Sequence, residues 1–177
     1  MLDIGLCGGF CVLMLPLLND ESEKKGLARY FAVVRNEKPA RFLVAKKLSA
    51  EFSKSDSIDE LWAIHARCID ELVRIERDKG EWAVLPEMYT PETSFFDLKI
   101  ETAGRILQMC HFCSRRCNVD RSKGEFGYCR CSDSMEVSSI FRHLGEEPEL
   151  VPSGTIFTLG CNMRCCFCQN WTISQWV

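Results

Sequence analysis

A basic excess is missing from this sequence. Its 22 Lys and Arg face 25 Asp and Glu, for a net charge of −3 and a pI near 5.7. That balance removes the electrostatic case for nucleic acid, which calls for a basic face, and offers no pull toward a membrane surface. Long apolar runs are scarce as well. The run IGLCGGFCVLMLPLL, residues 4–18, is shorter than the roughly 20 residues of a membrane span. Asp3 precedes it and the first lysine is Lys24, so it lacks the positive leader of a signal peptide. It reads as a buried segment or a misassigned start, and the C-x3-C pair Cys7 and Cys11 has no third ligand nearby. Internal repeats and low-complexity tracts are absent. Hydrophobic residues at 46% and charged residues at 27% are ordinary for a globular chain, and 177 residues suit one domain or one domain with a small module.

What the sequence does have is cysteine, 12 in all. A secreted framework would spread them through loops. Here Cys7, Cys11 and Cys68 are scattered and the other nine fall in two groups, Cys110 to Cys131 and Cys161 to Cys168. Gaps of two and three residues read as metal or iron–sulfur ligation in a reducing, cytoplasmic compartment.

Apart from an apolar N-terminal segment over residues 1–20, the chain up to residue 109 is expected to be mainly helical. ESEKKGLARYFAVVRN puts Leu27, Tyr30, Phe31 and Val34 on one helix face. Pro39 opens a second candidate, PARFLVAKKLSAEF, with proline in the first turn. Ser57 and Glu60 fit a capping box ahead of the stripe Ile58, Leu61, Trp62, His65, Cys68, Ile69, Leu72, which Gly80 closes. His65 and Cys68, at i and i+3, read as core residues ahead of ligands. Residues 81–93 read as a loop, and SFFDLKIETAGRILQ as a helix that delivers the chain to Cys110. A cysteine-rich module over 110–135 and a linker over 136–153, with a strand and then a loop around Gly145, Pro148 and Pro152, come next. TIFTL, residues 155–159, is a β-rich run that ends at Gly160 and Cys161.

In the first group, Cys110-x2-Cys113-x3-Cys117-x11-Cys129-x-Cys131 supplies four thiolates for a tetrahedral site, with Cys129 or Cys131 as the fourth. Zinc and an auxiliary [4Fe–4S] cluster both suit such a set. Gly124 and Gly127 let the intervening loop turn. Arg115, Arg116, Arg121 and Lys123 either steady an anionic centre or face solvent. In the second group, Cys161-x3-Cys165-x2-Cys168 puts three thiolates on one short loop after a strand. Three thiolates hold three irons of a [4Fe–4S] cube and leave the fourth open to a ligand. Cys166, inside the x2 gap, reads as a bystander, and Arg164 as a solvent-facing side chain.

The pattern C-x3-C-x-aromatic-C, here Cys161, Cys165, Phe167 and Cys168, resembles the signature of the radical SAM superfamily. The wider stretch GEEPELVPSGTIFTLGCNMRCCFCQNWTISQ is similar to its pyruvate formate-lyase activating enzyme-like, or AmmeMemoRadiSam-system, branch. The resemblance covers the chain from about Lys25, weakly in the helices and strongly from Cys110. It implies a mixed α and β chain: a helical region, a cysteine-rich metal module, and over 154–177 the first strand and cluster loop of a β/α barrel. It implies that the open iron binds S-adenosylmethionine, that one electron from a donor such as a ferredoxin or flavodoxin cleaves it to methionine and a 5′-deoxyadenosyl radical, and that this radical takes a hydrogen atom from a substrate. Phe167 would lie near the adenine. Similar members carry a CxxC…C…C segment ahead of the barrel, matching Cys110, Cys113, Cys117 and Cys129, from which Cys131 is a departure.

Nine residues follow Cys168, where such a barrel takes roughly 200 more. The chain is therefore expected to be the N-terminal portion of an enzyme, inactive in isolation. A reading of another class is a non-enzymatic module, either a zinc-stabilised interaction domain or an iron–sulfur electron carrier.

Overall fold

The computed structural model describes residues 26–77, 89–145, 150–151 and 153–175. The apolar run at 4–18, Gly80, residues 81–88 of the expected loop, Pro148 and Pro152 lie outside the described residues.

Helix α3, Ile58–Arg77, is the longest element among the described residues. Its start is the expected capping box: the Ser57 N–H donates to Glu60 Oε2 at 2.7 Å, and the Glu60 N–H donates to Ser57 Oγ at 3.3 Å. These bonds satisfy N–H groups that a helix start leaves unpaired, and the backbone bond to Ser57 is the main cause that holds the Glu60 carboxyl below its usual range. Asp59 and Glu60 in the first turn and Arg74 and Arg77 in the last complement the helix dipole. The buried face is Leu61, Cys68, Leu72 and Ile75. Trp62 and Ile69, expected on that stripe, lie at its exposed edge, because packing covers a narrower arc than the apolar pattern. Trp62 meets the half-buried His65 edge-on, with centroids 5.1 Å apart.

Helix α4, Phe95–Gln108, packs against α3. Phe95, Leu61, Leu98 and Val44 are the largest fully buried side chains. A second capping box starts α4: the Ser94 N–H donates to Asp97 Oδ2 at 2.8 Å and the Asp97 N–H donates to Ser94 Oγ at 3.3 Å. Ser94→Ala is expected to cost about 1 kcal/mol, read as a lower midpoint in urea unfolding with an unchanged slope.

The first two helices among the described residues are short. Helix α1 spans Ala28–Val34 and α2 spans Arg41–Ala45. The expected helix from Pro39 to Phe52 is thus cut to five residues, and Pro39 precedes its first turn. The cause is a competing pairing. The Ala50 N–H donates to Thr93 O at 3.1 Å and the Phe95 N–H to Leu48 O at 2.8 Å, so residues 48–50 run extended beside the start of α4.

Strand β1, Val137–His143, pairs antiparallel with β2, Ser153–Thr158, with Phe141 opposite Thr155 and Ile140 opposite Ile156. Residues 136–153, expected as a linker, therefore hold one arm of a hairpin. Among the described residues β2 has β1 as its antiparallel neighbour and no parallel, barrel-type partner. Both faces of β1 are largely exposed. A one-turn helix α5, Trp171–Ser174, closes the described chain.

Candidate metal centres

Helix α4 hands the chain to the buried Cys110. The loop that follows folds back on it: the Cys110 N–H donates to Val119 O and the Asn118 N–H to Cys110 O, both at 3.0 Å. Arg116 and Asn118 bend that loop with positive φ. The bend aims backbone donors at sulfur. Cys113 is held below its ordinary thiol pKa, chiefly by the Arg115 N–H, then by the Asn162 side chain, with the Arg116 N–H adding to it. The Tyr128 N–H donates to Cys117 Sγ at 3.3 Å. Burial pushes the Cys129 thiol up, but the Cys131 N–H and the Arg121 guanidinium outweigh it and leave Cys129 lowered. The donors at Cys113 and Cys129 favour the thiolate, which is the form that ligates metal.

Cys131 behaves differently. Burial, and then the neighbouring Cys129, raise its pKa. Its Sγ approaches Cys129 O at 3.4 Å and Leu159 O at 3.5 Å, as a thiol that donates.

Arg121 is the residue that the sequence did not single out from its basic neighbours. It opens the 3-10 turn Arg121–Lys123 and is only 5% exposed. Its guanidinium donates to Cys129 Sγ at 3.3 Å and to Cys131 O, and it also bonds Cys110. Among the described residues no carboxylate pairs with it. Burial works against its charge, and the bonds to the Cys110 and Cys129 sulfurs outweigh that, leaving its pKa raised. Gly124 turns the chain with φ +79°, as expected. Gly127 has another job: a Cβ there would collide with the Arg121 guanidinium. A glycine six residues after an arginine was the available signal, and it is a faint one.

A buried guanidinium with sulfur in place of carboxylate fits an anionic thiolate centre, since an uncompensated buried cation is costly. The donor set suits zinc or an iron–sulfur cluster in its chemistry. Among the described residues no three Cys, His, Asp or Glu side chains stand together as a ready-made cage. Ligation would need side-chain rotation, the usual coupling of metal binding to ordering. The ten described cysteines are all free thiols. Of the other possible ligand pair, Cys68 is buried in the core and His65 lies 2.9 Å from Lys99 Nζ.

The second group leaves β2 through Leu159, whose N–H donates to Glu136 O at 2.9 Å. Gly160 then takes φ +81°, and its N–H donates to Ile173 O at 2.8 Å. A Cβ at Gly160 would stand 2.6 Å from Cys131 Sγ and would also meet Cys129 O. Gly160→Ala is expected to cost roughly 1–2 kcal/mol from the left-handed backbone alone, and more from the collision; thermal unfolding checks it. Beyond this turn, the Met163 N–H donates to Cys161 Sγ at 3.3 Å, and Cys165 O accepts from the Cys168 N–H at 3.3 Å and Gln175 Nε2 at 3.1 Å. Cys168 Sγ lies 3.3 Å from Ser174 Oγ. Cys161, Cys165 and Cys168 are half-buried, whereas Cys166 is exposed and Phe167 is 83% exposed.

The two groups touch. Arg115 Nε donates to Asn162 O at 3.3 Å, and the guanidinium carbons of Arg115 and Arg164 stand over the Tyr128 ring, 4.0 Å and 4.4 Å from its centroid. Arg164 is exposed, and it covers this ring instead of only facing solvent.

No family model matches the sequence, and no solved structure matches it. Two curated proteins of Methanocaldococcus jannaschii are similar to it. "Uncharacterized protein MJ0674" is 45% identical over 149 residues, which are 84% of this chain and 42% of that protein. "Uncharacterized protein MJ0808" is 34% identical over 82 residues, 37% of this chain and 24% of that protein. The chain thus spans less than half the length of these relatives, and neither name states an activity. Among the described residues no helix is long and apolar enough to cross a membrane.

Proposed function

We propose that the chain is the N-terminal part of a radical SAM-type enzyme of a reducing cytoplasm, with Cys161, Cys165 and Cys168 holding a [4Fe–4S] cluster. The observation that carries this reading is the loop after β2, where those three thiols are half-buried and Cys166 is exposed. The spacing and the preceding strand agree with it. With S-adenosylmethionine bound, such a cluster supplies a one-electron cleavage of the sulfonium and a carbon radical that abstracts hydrogen.

The chain's own residues do the holding. Gly160 turns the backbone out of β2, the Met163 N–H donates to Cys161 Sγ, and Gln175 ties down the Cys165 carbonyl. Phe167, exposed on the same loop, is free to meet the adenine. Cys110, Cys113, Cys117 and Cys129 hold a second centre, zinc or an auxiliary cluster, with Arg121 as its counter-ion; Cys131 is left to a structural bond. An external one-electron donor of ferredoxin or flavodoxin type completes the scheme, and the substrate contacts belong to the rest of the enzyme.

Anaerobic reconstitution with iron and sulfide tests the reading. A brown protein whose reduced-cluster EPR signal changes on adding S-adenosylmethionine is the expected result. A colourless protein that retains only zinc would sink it and leave a zinc-stabilised interaction module.

A further inference from the structure

Most contacts between the two cysteine groups fall on side chains that neither site uses as a ligand. Tyr128 immediately precedes Cys129, and its N–H serves Cys117. Two guanidinium groups stand over its ring, those of Arg115, two residues after Cys113, and of Arg164, immediately before Cys165. Asn162 follows Cys161; its carbonyl accepts from Arg115 and its side chain bonds Cys113. Cys131, two residues after Cys129, donates to Leu159 O, and Gly160 is bare so that the chains can approach. The turns that carry Cys113 and Cys129 thus each have a neighbour in contact with the second loop, and Cys117 accepts from one of those neighbours, Tyr128.

We propose that Tyr128 and Cys131 are positioning residues that couple the two sites: a divalent metal held by Cys110, Cys113, Cys117 and Cys129 orders the Cys161–Cys168 loop for its cluster. This rests on the reading of the first group as a metal site. The physical basis is linkage. Metal binding fixes the backbone at Cys117 and Cys129, hence the plane of Tyr128 and the position of the Cys131 sulfur. The second loop then gives up less freedom when it takes its own ligand, which is cooperativity by pre-ordering.

The test keeps metal off the second loop. The full chain carrying Cys161→Ser, Cys165→Ser and Cys168→Ser is titrated with zinc alone, and amide hydrogen exchange is followed. Zinc is expected to slow exchange across residues 160–175 by about fivefold or more, as well as across 110–131. Adding Tyr128→Ala or Cys131→Ala should remove most of the protection at 160–175 and leave that at 110–131. Tyr128→Phe, which keeps the ring face that the guanidinium groups need, should retain it. If the triple variant loses its helical signal, Tyr128→Ala is compared with Tyr128→Phe in the otherwise unaltered chain at one equivalent of zinc.

Protection confined to 110–131, equal protection in Tyr128→Ala and Tyr128→Phe, or no zinc uptake would each overturn the coupling. Failure of the unaltered chain to take up iron and sulfide would instead overturn the cluster at the second loop, and zinc-driven ordering of 160–175 would still stand.

Discussion

Arg121→Met is expected to weaken zinc retention at Cys110, Cys113, Cys117 and Cys129 about 10- to 100-fold, the usual effect of losing a group that supports metal ligands from behind. Competition for zinc against a chromophoric chelator measures it. A four-thiolate zinc site carries a net charge of about −2, and a buried site needs that charge answered locally. Arg121 is the cation in place, 5% exposed and bonded to two of the four sulfurs. Methionine keeps an unbranched apolar stem and removes the charge and the donors. Arg121→Lys should fall between the two, because an ammonium keeps the charge but lacks the planar fork that reaches Cys129 Sγ and Cys131 O together. Lys123→Met is the control. Lys123 pairs with Asp120 at 2.9 Å with its side chain 76% exposed, a surface pair of small consequence. The metal-free chain should be far less sensitive to Arg121→Met than the zinc-bound chain, since without metal the guanidinium has fewer negative partners to lose.

The capping box at Ser57 was legible because its signal is local: two residues three apart, ahead of a periodic stripe. At the start of α4 only the helix was read; its aspartate version of that box, Ser94 with Asp97, came from the structure. The length of α2 was not legible. Nothing within PARFLVAKKLSAEF forbids a longer helix; the extended pairing of residues 48–50 with Thr93 and Phe95 does, across more than 40 positions. The antiparallel partner of β2 was hidden for a similar reason, since β1 was read as a strand inside a linker and strand pairing depends on register between distant segments.

At the site, spacing proposes ligands but does not pick counter-ions. Arg115, Arg116, Arg121 and Lys123 look alike in a string, yet only Arg121 is buried. The burial follows from Asp120 capping the 3-10 turn and from the absence of a side chain at Gly127, both local features whose joint effect is three-dimensional. The contact of Tyr128 with Arg164 spans 36 residues and left no pattern to read.

The four cysteines of the second loop give the largest expected effect of all. Single replacement of Cys161, Cys165 or Cys168 by alanine should abolish retention of the cluster at this loop, with the loss of about four irons per chain, whereas Cys166→Ala should leave iron content unchanged. Total iron after anaerobic reconstitution and gel filtration, together with absorbance of the reconstituted protein, separates the two outcomes. The reasoning is one of ligand number. Three thiolates already leave one iron open; with two, half of the cube would be held by solvent, and hydrolysis and loss of iron follow. Cys166 cannot stand in for a missing neighbour without turning the loop, because it is exposed while the flanking Cys165 and Cys168 are half-buried and tied through Gln175 and Ser174. Phe167→Ala divides the two roles of the motif. The ring is 83% exposed and holds no iron, so the variant should keep its cluster. What it should lose is part of the EPR response to S-adenosylmethionine, by roughly tenfold in the concentration required, the scale of removing one aromatic stacking contact with a base. An unchanged response would take Phe167 out of the adenine contact and leave the three-cysteine assignment as it is.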